Sequence, residues 1–386
     1  TEMLNIDNLH AYYGKSHVLH GVSFNVQPGE IVALLGRNGS GRSTTAKAIM
    51  GLVRTEGALT WAGVSLANRQ PFDVAQAGIG FVPETRDVFP DLTVEQNLQL
   101  GLPRHAIARG AHLEAMRHDG LRIVGGRGET HLLPTKATDD PASIGPVDLV
   151  MFCVKLWDVE SAGQAIRPMV GPDTAVLPLQ NGIDSSDRLI PILGAKAVMG
   201  GVAQISATID APGVIRQTGT FMRLAFGELD GSITPRGKAF LEWCQHAGFD
   251  ATLSDRILTE LWLKFIILAT NSGMTALTRR PLGELRDDPD IAPYFQTGFE
   301  EVIALARAKG VWLPDDVLER SMKFTKGAPA SMRASMAVDL IRGNRIELPW
   351  LSGKVVALGR ELGVPTPTHA MINAALKPYA MGAPKD

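Results

Sequence analysis

The periodicity of the apolar residues changes once along this chain, and that change limits the folds open to it. Up to about Asp255, short strand-like apolar runs alternate with turns and helical patterns; beyond it only helical periodicity remains. Such a chain closes a sheet first and packs a helical domain after it. Strands are expected at 4–6, 22–26 and 31–35, the last running into a glycine-rich turn and a helix over 43–52. Gly101, Pro103 and Gly110 then cluster as turn residues, and a different α/β series begins. Its expected strands are 147–154, 174–179, 197–203, 213–217 and 223–227, with a helix at 159–166; such alternation suits a partly parallel sheet. Helices follow at 258–268, 293–309, 334–342 and 351–362. There is no internal repeat and no low-complexity segment.

Composition narrows the partners. With 386 residues the chain can bury two or three cores. A formal net charge of −2 argues against a nucleic-acid surface, which needs clustered Lys and Arg, and favours small molecules. The most apolar stretch, 261–274, is interrupted by Lys264 and Asn271 and is too short to span a bilayer, so no membrane insertion is expected. Cys153 and Cys244 are the only cysteines and have no paired spacing, which supports neither a disulfide framework nor a metal site and fits a cytoplasmic location.

Between the expected strand and helix lies Gly36-Arg37-Asn38-Gly39-Ser40-Gly41-Arg42-Ser43, followed by Thr44. This has the spacing of a phosphate-binding loop, with Arg42 where lysine is usual; its glycines would let backbone N–H groups wrap a phosphate. Arg42 keeps the positive charge, but a planar guanidinium differs from a compact ammonium at a β/γ-phosphate, so hydrolysis is expected to be weaker than binding. Together with Leu9-His10-Ala11-Tyr12-Tyr13-Gly14-Lys15, Gly78-Ile79-Gly80-Phe81-Val82-Pro83-Glu84 and Phe89-Pro90-Asp91-Leu92-Thr93-Val94-Glu95, the loop makes residues 4–102 resemble the N-terminal half of a branched-chain amino-acid ABC transporter ATPase. That resemblance implies ATP and Mg at this lobe, with Tyr13 stacked on adenine and Glu84 at the Q-loop position. After Leu102 there is no Leu-Ser-Gly-Gly-like segment, no strand ending in Asp-Glu and no switch histidine, so this half alone is not expected to be a competent ATPase.

From Ile107-Ala108-Arg109-Gly110-Ala111-His112-Leu113 to about residue 383 the chain resembles ketopantoate reductases (2-dehydropantoate 2-reductases). Asp148-Leu149-Val150-Met151-Phe152-Cys153-Val154-Lys155 looks like that family's strand ending in a site lysine, and Leu179-Gln180-Asn181-Gly182 like the next strand's end. Ligands of open α/β sheets gather at such carboxyl ends. The likeness makes Lys155 and Asn181 cofactor contacts, Asn181 also a substrate contact, and Arg109 the partner of the 2′-phosphate of NADPH. In Leu261-Trp262-Leu263-Lys264-Phe265 one ammonium sits among large apolar residues, and the family uses such a lysine as general acid. An ammonium there can stabilise and protonate the alkoxide left by hydride addition to a ketone. Ala334-Ser335-Met336 and Arg345-Ile346-Glu347 match the family's substrate-holding serine and site glutamate, so Ser335 would bond the substrate and Glu347 would orient its hydroxyl and Lys264. Where many members carry Asn one turn after the lysine, this chain has Leu268, with Asn271 nearby as a further substrate contact.

The family's opening strand, Gly-x-Gly-x-x-Gly turn and helix are absent; Gly78-Ile79-Gly80 and Gly126-Arg127-Gly128 lack the third glycine. The expected fold is therefore α/β: an incomplete P-loop ABC ATPase lobe (1–104), an incomplete Rossmann-type NADP-binding sheet (105–255) and an all-helical C-terminal substrate and dimerisation domain (256–386). The leading function is reduction of a 2-keto acid by NADPH, with any homodimer formed through the helical domain. The competing readings are an ATP-binding transporter fragment and a fusion without activity of its own. Strand 31–35 could fill the vacant first position of the reductase sheet; two separate units, each with an exposed edge, is the preferred arrangement.

Overall fold

The computed structural model describes residues 3–30, 32, 34, 41–67, 69–79, 105–125, 128–132 and 135–383. The chain divides into two compact units, Thr1–Pro103 and Arg104–Asp386.

In the first unit, β1 (Leu4–Tyr13) lies between β2 (Ser16–Val26) and β3 (Arg54–Trp61), with β4 (Val64–Ser65) outside β3, all antiparallel. The strands are longer than the expected 4–6 and 22–26, because the polar residues between apolar ones alternate onto the open face of a half-buried sheet. Leu4, Ile6, Leu9, Ala11, Leu19 and Leu59 make the other face a core with Ala48 of α1 (Arg42–Ile49) and Val74 of α2 (Pro71–Gln76). Helix α1 starts at Gly41, whose φ of +90° no side-chain-bearing residue adopts readily. Of the expected strand 31–35 only Val32 and Leu34 are described, both exposed and neither in a strand; Gly36, Asn38, Gly39 and Glu84 lie outside the described residues.

The second unit opens with β5 (His105–Ile107) and α3 (Gly110–Asp119), followed by β6 (Leu121–Gly125), β7 (Gly128–Leu132) and β8 (Lys136–Thr138). Then come β9 (Val147–Phe152), α4 (Val159–Ala165), β10 (Val170–Pro178), α5 (Ser185–Leu193), β11 (Gly200–Ala211), β12 (Val214–Gly227), α6 (Pro235–His246) and β13 (Asp250–Leu253). β5 pairs in parallel with β8, and β9 with β10, which reaches onward through a parallel bridge between Val176 and Val198. In the doubly wound order 3-2-1-4-5-6 these are the two flanks of a first strand. Among the described residues β5 is paired only with β8, and β9 only with β10. The two expected strands 213–217 and 223–227 are one, β12, which forms a long hairpin with β11 and takes β6 and β13 as parallel neighbours. Gln217 and Thr218 interrupt the apolar pattern, but a hairpin strand tolerates such polar residues, with Thr218 exposed. The expected strand 197–203 likewise begins later and runs further, as β11.

The rest is helical: α7 (Ile257–Thr278), α8 (Leu282–Arg286), α9 (Ala292–Ala308), α10 (Val317–Gly327), α11 (Ser335–Ile341), α12 (Ser352–Leu362) and α13 (Pro367–Leu376). Helix α7 is buried on most of its circumference, with Phe265, Ile266, Ala269 and Ala276 inaccessible, so the other helices wrap it as a central post. Among the described residues no helix is long and apolar enough to cross a membrane.

Candidate functional site

The N-terminal part of α7 packs against β11, which brings the lysine of the helical domain to the α/β sheet. Lys264 Nζ donates to the carbonyl of Ala203 on β11 at 2.9 Å. Burial pulls its pKa down to about 8, against the pull of the Glu347 carboxylate, which raises it. An ammonium so placed is still protonated at neutral pH but gives up its proton more readily than a free lysine, which suits a general acid.

Glu347 is buried, and its Oε1 accepts the backbone N–H of Leu156 at 3.2 Å. Leu156 follows the carboxyl end of β9, so the glutamate of the helical domain is pinned to the strand end that carries Lys155. Lys155 Nζ is paired with Asp339 at 3.0 Å. Asp339 lies four residues after Ser335, one turn along α11, and shares its face. Ser335 is exposed at the start of that helix. Asn181 lies three residues beyond the end of β10; the next residue, Gly182, takes φ +100° and lies beneath the carbonyl of Trp350 and the side chain of Leu156. The structure thus gathers Lys155, Asn181, Glu347 and the start of α11 where β9 and β10 meet the helical domain.

Of the remaining expected site residues, Asn271 is placed away from the strand ends and Arg109 stands just after β5. Asn271 is buried in the helical interior, where Nδ2 donates to Thr325 Oγ1 at 3.2 Å and Oδ1 accepts from the same hydroxyl at 3.4 Å. Its amide is taken up by α10, because α7 is wrapped by helices over this stretch. Arg109 is exposed, precedes α3 and makes no ion pair among the described residues.

Sequence reasoning missed Asp339, which the four-residue step from Ser335 would have signalled. It also missed an aromatic and cationic cluster above Leu156. The rings of Trp157 and Trp350 lie 6.4 Å apart; Arg345 stands 4.7 Å and 5.8 Å from their centres, Lys155 5.5 Å from Trp157, and Arg188 5.6 Å from Trp350. No local spacing announces these contacts.

In the first unit Tyr13 is exposed at the end of β1, and Arg42 and Ser43 are exposed at the start of α1. Thr44 is buried, and Thr45 Oγ1 bonds the Gly41 carbonyl at 3.0 Å.

The family model "Ketopantoate reductase PanE/ApbA" matches residues 97–231 and its C-terminal companion residues 256–380. The ABC transporter model matches 19–146 and so overlaps the first of these. A 2-dehydropantoate 2-reductase of Halobacterium salinarum is 30% identical over 260 residues, 66% of this chain and 84% of that protein. The crystal structure of a PanE/ApbA family ketopantoate reductase from Ralstonia eutropha JMP134 superposes with a TM-score of 0.66 at 31% identity, covering 72% of this chain and 90% of the other. A D-mandelate dehydrogenase solved with NADH and anilino(oxo)acetate shares the fold, with a TM-score of 0.66 at 20% identity over 72% of this chain and 90% of its own. With these matches covering the site just described, the chain belongs to the ketopantoate reductase PanE/ApbA family.

Proposed function

We propose that the chain reduces the C2 keto group of 2-dehydropantoate or a related 2-keto acid, using NADPH. The observation that carries this reading is Lys264: an ammonium held between Ala203 and the field of Glu347, with its pKa brought to about 8. As a hydride reaches C2, the carbonyl oxygen becomes an alkoxide, and Lys264 transfers one proton to it. Glu347 keeps the lysine charged until that moment and accepts the substrate hydroxyl. Ser335 and Asn181 are the further substrate contacts.

The described residues fit a nicotinamide dinucleotide at two places. Arg109, which makes no ion pair among the described residues, offers its guanidinium for a 2′-phosphate just after β5, and Lys155 and Asn181 stand just beyond β9 and β10. The cofactor, when bound, supplies the hydride. The sequence has no Gly-x-Gly-x-x-Gly turn to cradle the pyrophosphate, so cofactor affinity is expected to be lower than in a complete Rossmann unit.

Lys264→Ala should lower kcat for NADPH-dependent reduction of 2-dehydropantoate by on the order of 100-fold. Loss of NADPH absorbance measures it; an unchanged kcat ends the assignment to Lys264, and a wild-type chain that reduces no 2-keto acid ends the reading. The match of 19–146 to the ABC transporter model, with Gly41 opening α1, favours a second reading for the first unit: it binds a nucleotide phosphate without hydrolysing it.

A further inference from the structure

Four cations meet where the helical domain rests on β9 and β10, and three of them have carboxylate partners. Lys155 has Asp339 at 3.0 Å, Arg188 has Glu160 at 2.7 Å, and Lys354 has Asp184 at 3.0 Å. Arg345 has none: among the described residues its guanidinium makes no ion pair and no hydrogen bond, only the ring contacts at 4.7 Å and 5.8 Å. The nearest carboxylate in sequence, Glu347, accepts from Leu156 N–H.

A guanidinium has two kinds of surface. Its flat face satisfies aromatic rings, while its edge carries N–H donors that suit the two oxygens of a carboxylate or phosphate. Trp157 and Trp350 restrain Arg345 by ring contact and supply nothing for that edge. An arginine held this way has lost much of its side-chain freedom before any ligand arrives, which lowers the cost of binding. The residue also stands at the right place. Trp157 follows Leu156, to which Glu347 is bonded, so Arg345 and Glu347 are anchored on one short segment after β9.

We propose that Arg345 is an anion-recognition residue of this site, binding an oxyanion of the bound ligand through its guanidinium edge. The inference rests on the functional reading above, which supplies two oxyanions: the carboxylate of the keto acid and a phosphate of the cofactor. The carboxylate is the first choice, because Arg345 shares its segment with Glu347.

Trp157 and Trp350 make intrinsic fluorescence a binding signal independent of turnover. Wild-type and Arg345→Gln chains would be titrated with 2-dehydropantoate, with its neutral lactone, which keeps the keto group and lacks the carboxylate, and with NADP+. The expected result is a Kd for 2-dehydropantoate weakened by on the order of tenfold to a hundredfold, with the lactone unchanged. A loss confined to NADP+ would still support an oxyanion site and assign it to the cofactor. Equal losses for acid and lactone, or no loss for any ligand, would overturn the proposal and leave Arg345 as a packing clamp between two rings. Should Arg345→Gln not fold, Arg345→Lys decides: it keeps the charge but lacks the planar fork, so the acid should weaken severalfold and the lactone should not, and an unchanged Kd for the acid overturns the proposal. A wild-type chain that binds neither the acid nor NADP+ refutes the functional reading and this site together, whereas wild-type binding with unchanged variants refutes this site alone.

Discussion

Glu347→Gln removes the carboxylate charge at the site while glutamine keeps an oxygen to accept the Leu156 N–H bond. In the wild-type chain burial drives the Lys264 ammonium toward deprotonation and Glu347 opposes it, with a balance at about 8. An opposite charge at roughly 4–6 Å typically moves a pKa by about 1–3 units. Without it, burial acts unopposed, and the Lys264 pKa should fall below about 8. The sign follows from the role: the acid is competent when protonated, so activity falls as pH rises through its pKa. The alkaline limb of the kcat profile should therefore move to lower pH by at least about one unit, while kcat on the acid side of the new limb changes less. A second assay needs no turnover: the rate of amine labelling at Lys264, followed by mass spectrometry against pH, should show the same displacement. Coincident limbs in wild type and variant, by both assays, would refute the coupling between the two residues.

Two further outcomes follow from single residues. Arg109→Ala should erase a preference for NADPH over NADH, since a guanidinium matches the geometry of a phosphate; equal discrimination before and after substitution would remove that role. His369 is fully buried, bonded to Ser352 Oγ at 3.2 Å and to the Gly298 carbonyl at 3.3 Å, and burial lowers its pKa to about 4. Above its unfolded value of roughly 6.5 it is neutral in both states and costs nothing; as pH falls from there toward 4 the unfolded chain takes up a proton that the folded chain refuses. Stability should drop by up to about 3 kcal/mol across that window. Denaturation midpoints at both ends of the window should differ less in His369→Asn than in wild type, and an equal difference would show that other groups cause the loss.

The sequence by itself determined the switch from α/β to helix and the identity of the proton donor candidate. A lone ammonium among Leu261, Trp262, Leu263 and Phe265 either reaches water or is used, and local patterning is enough to raise that question. It also showed that the glycine turn of a Rossmann unit is missing, and the separation of the β5–β8 pair from the β9–β10 pair among the described residues agrees with that. Tertiary structure decided the partners. The bond from Leu156 to Glu347 spans 191 positions and the Lys155–Asp339 pair 184, and no periodicity records which residues meet over such distances. The same holds for Arg345, a charge next to a glutamate until folding sets it beside two tryptophans. Asn271 is the converse. Its sequence position near Lys264 suggested the site, but a helix wrapped over most of its circumference turns its polar residues toward its neighbours as readily as toward a ligand, and here the neighbour is Thr325.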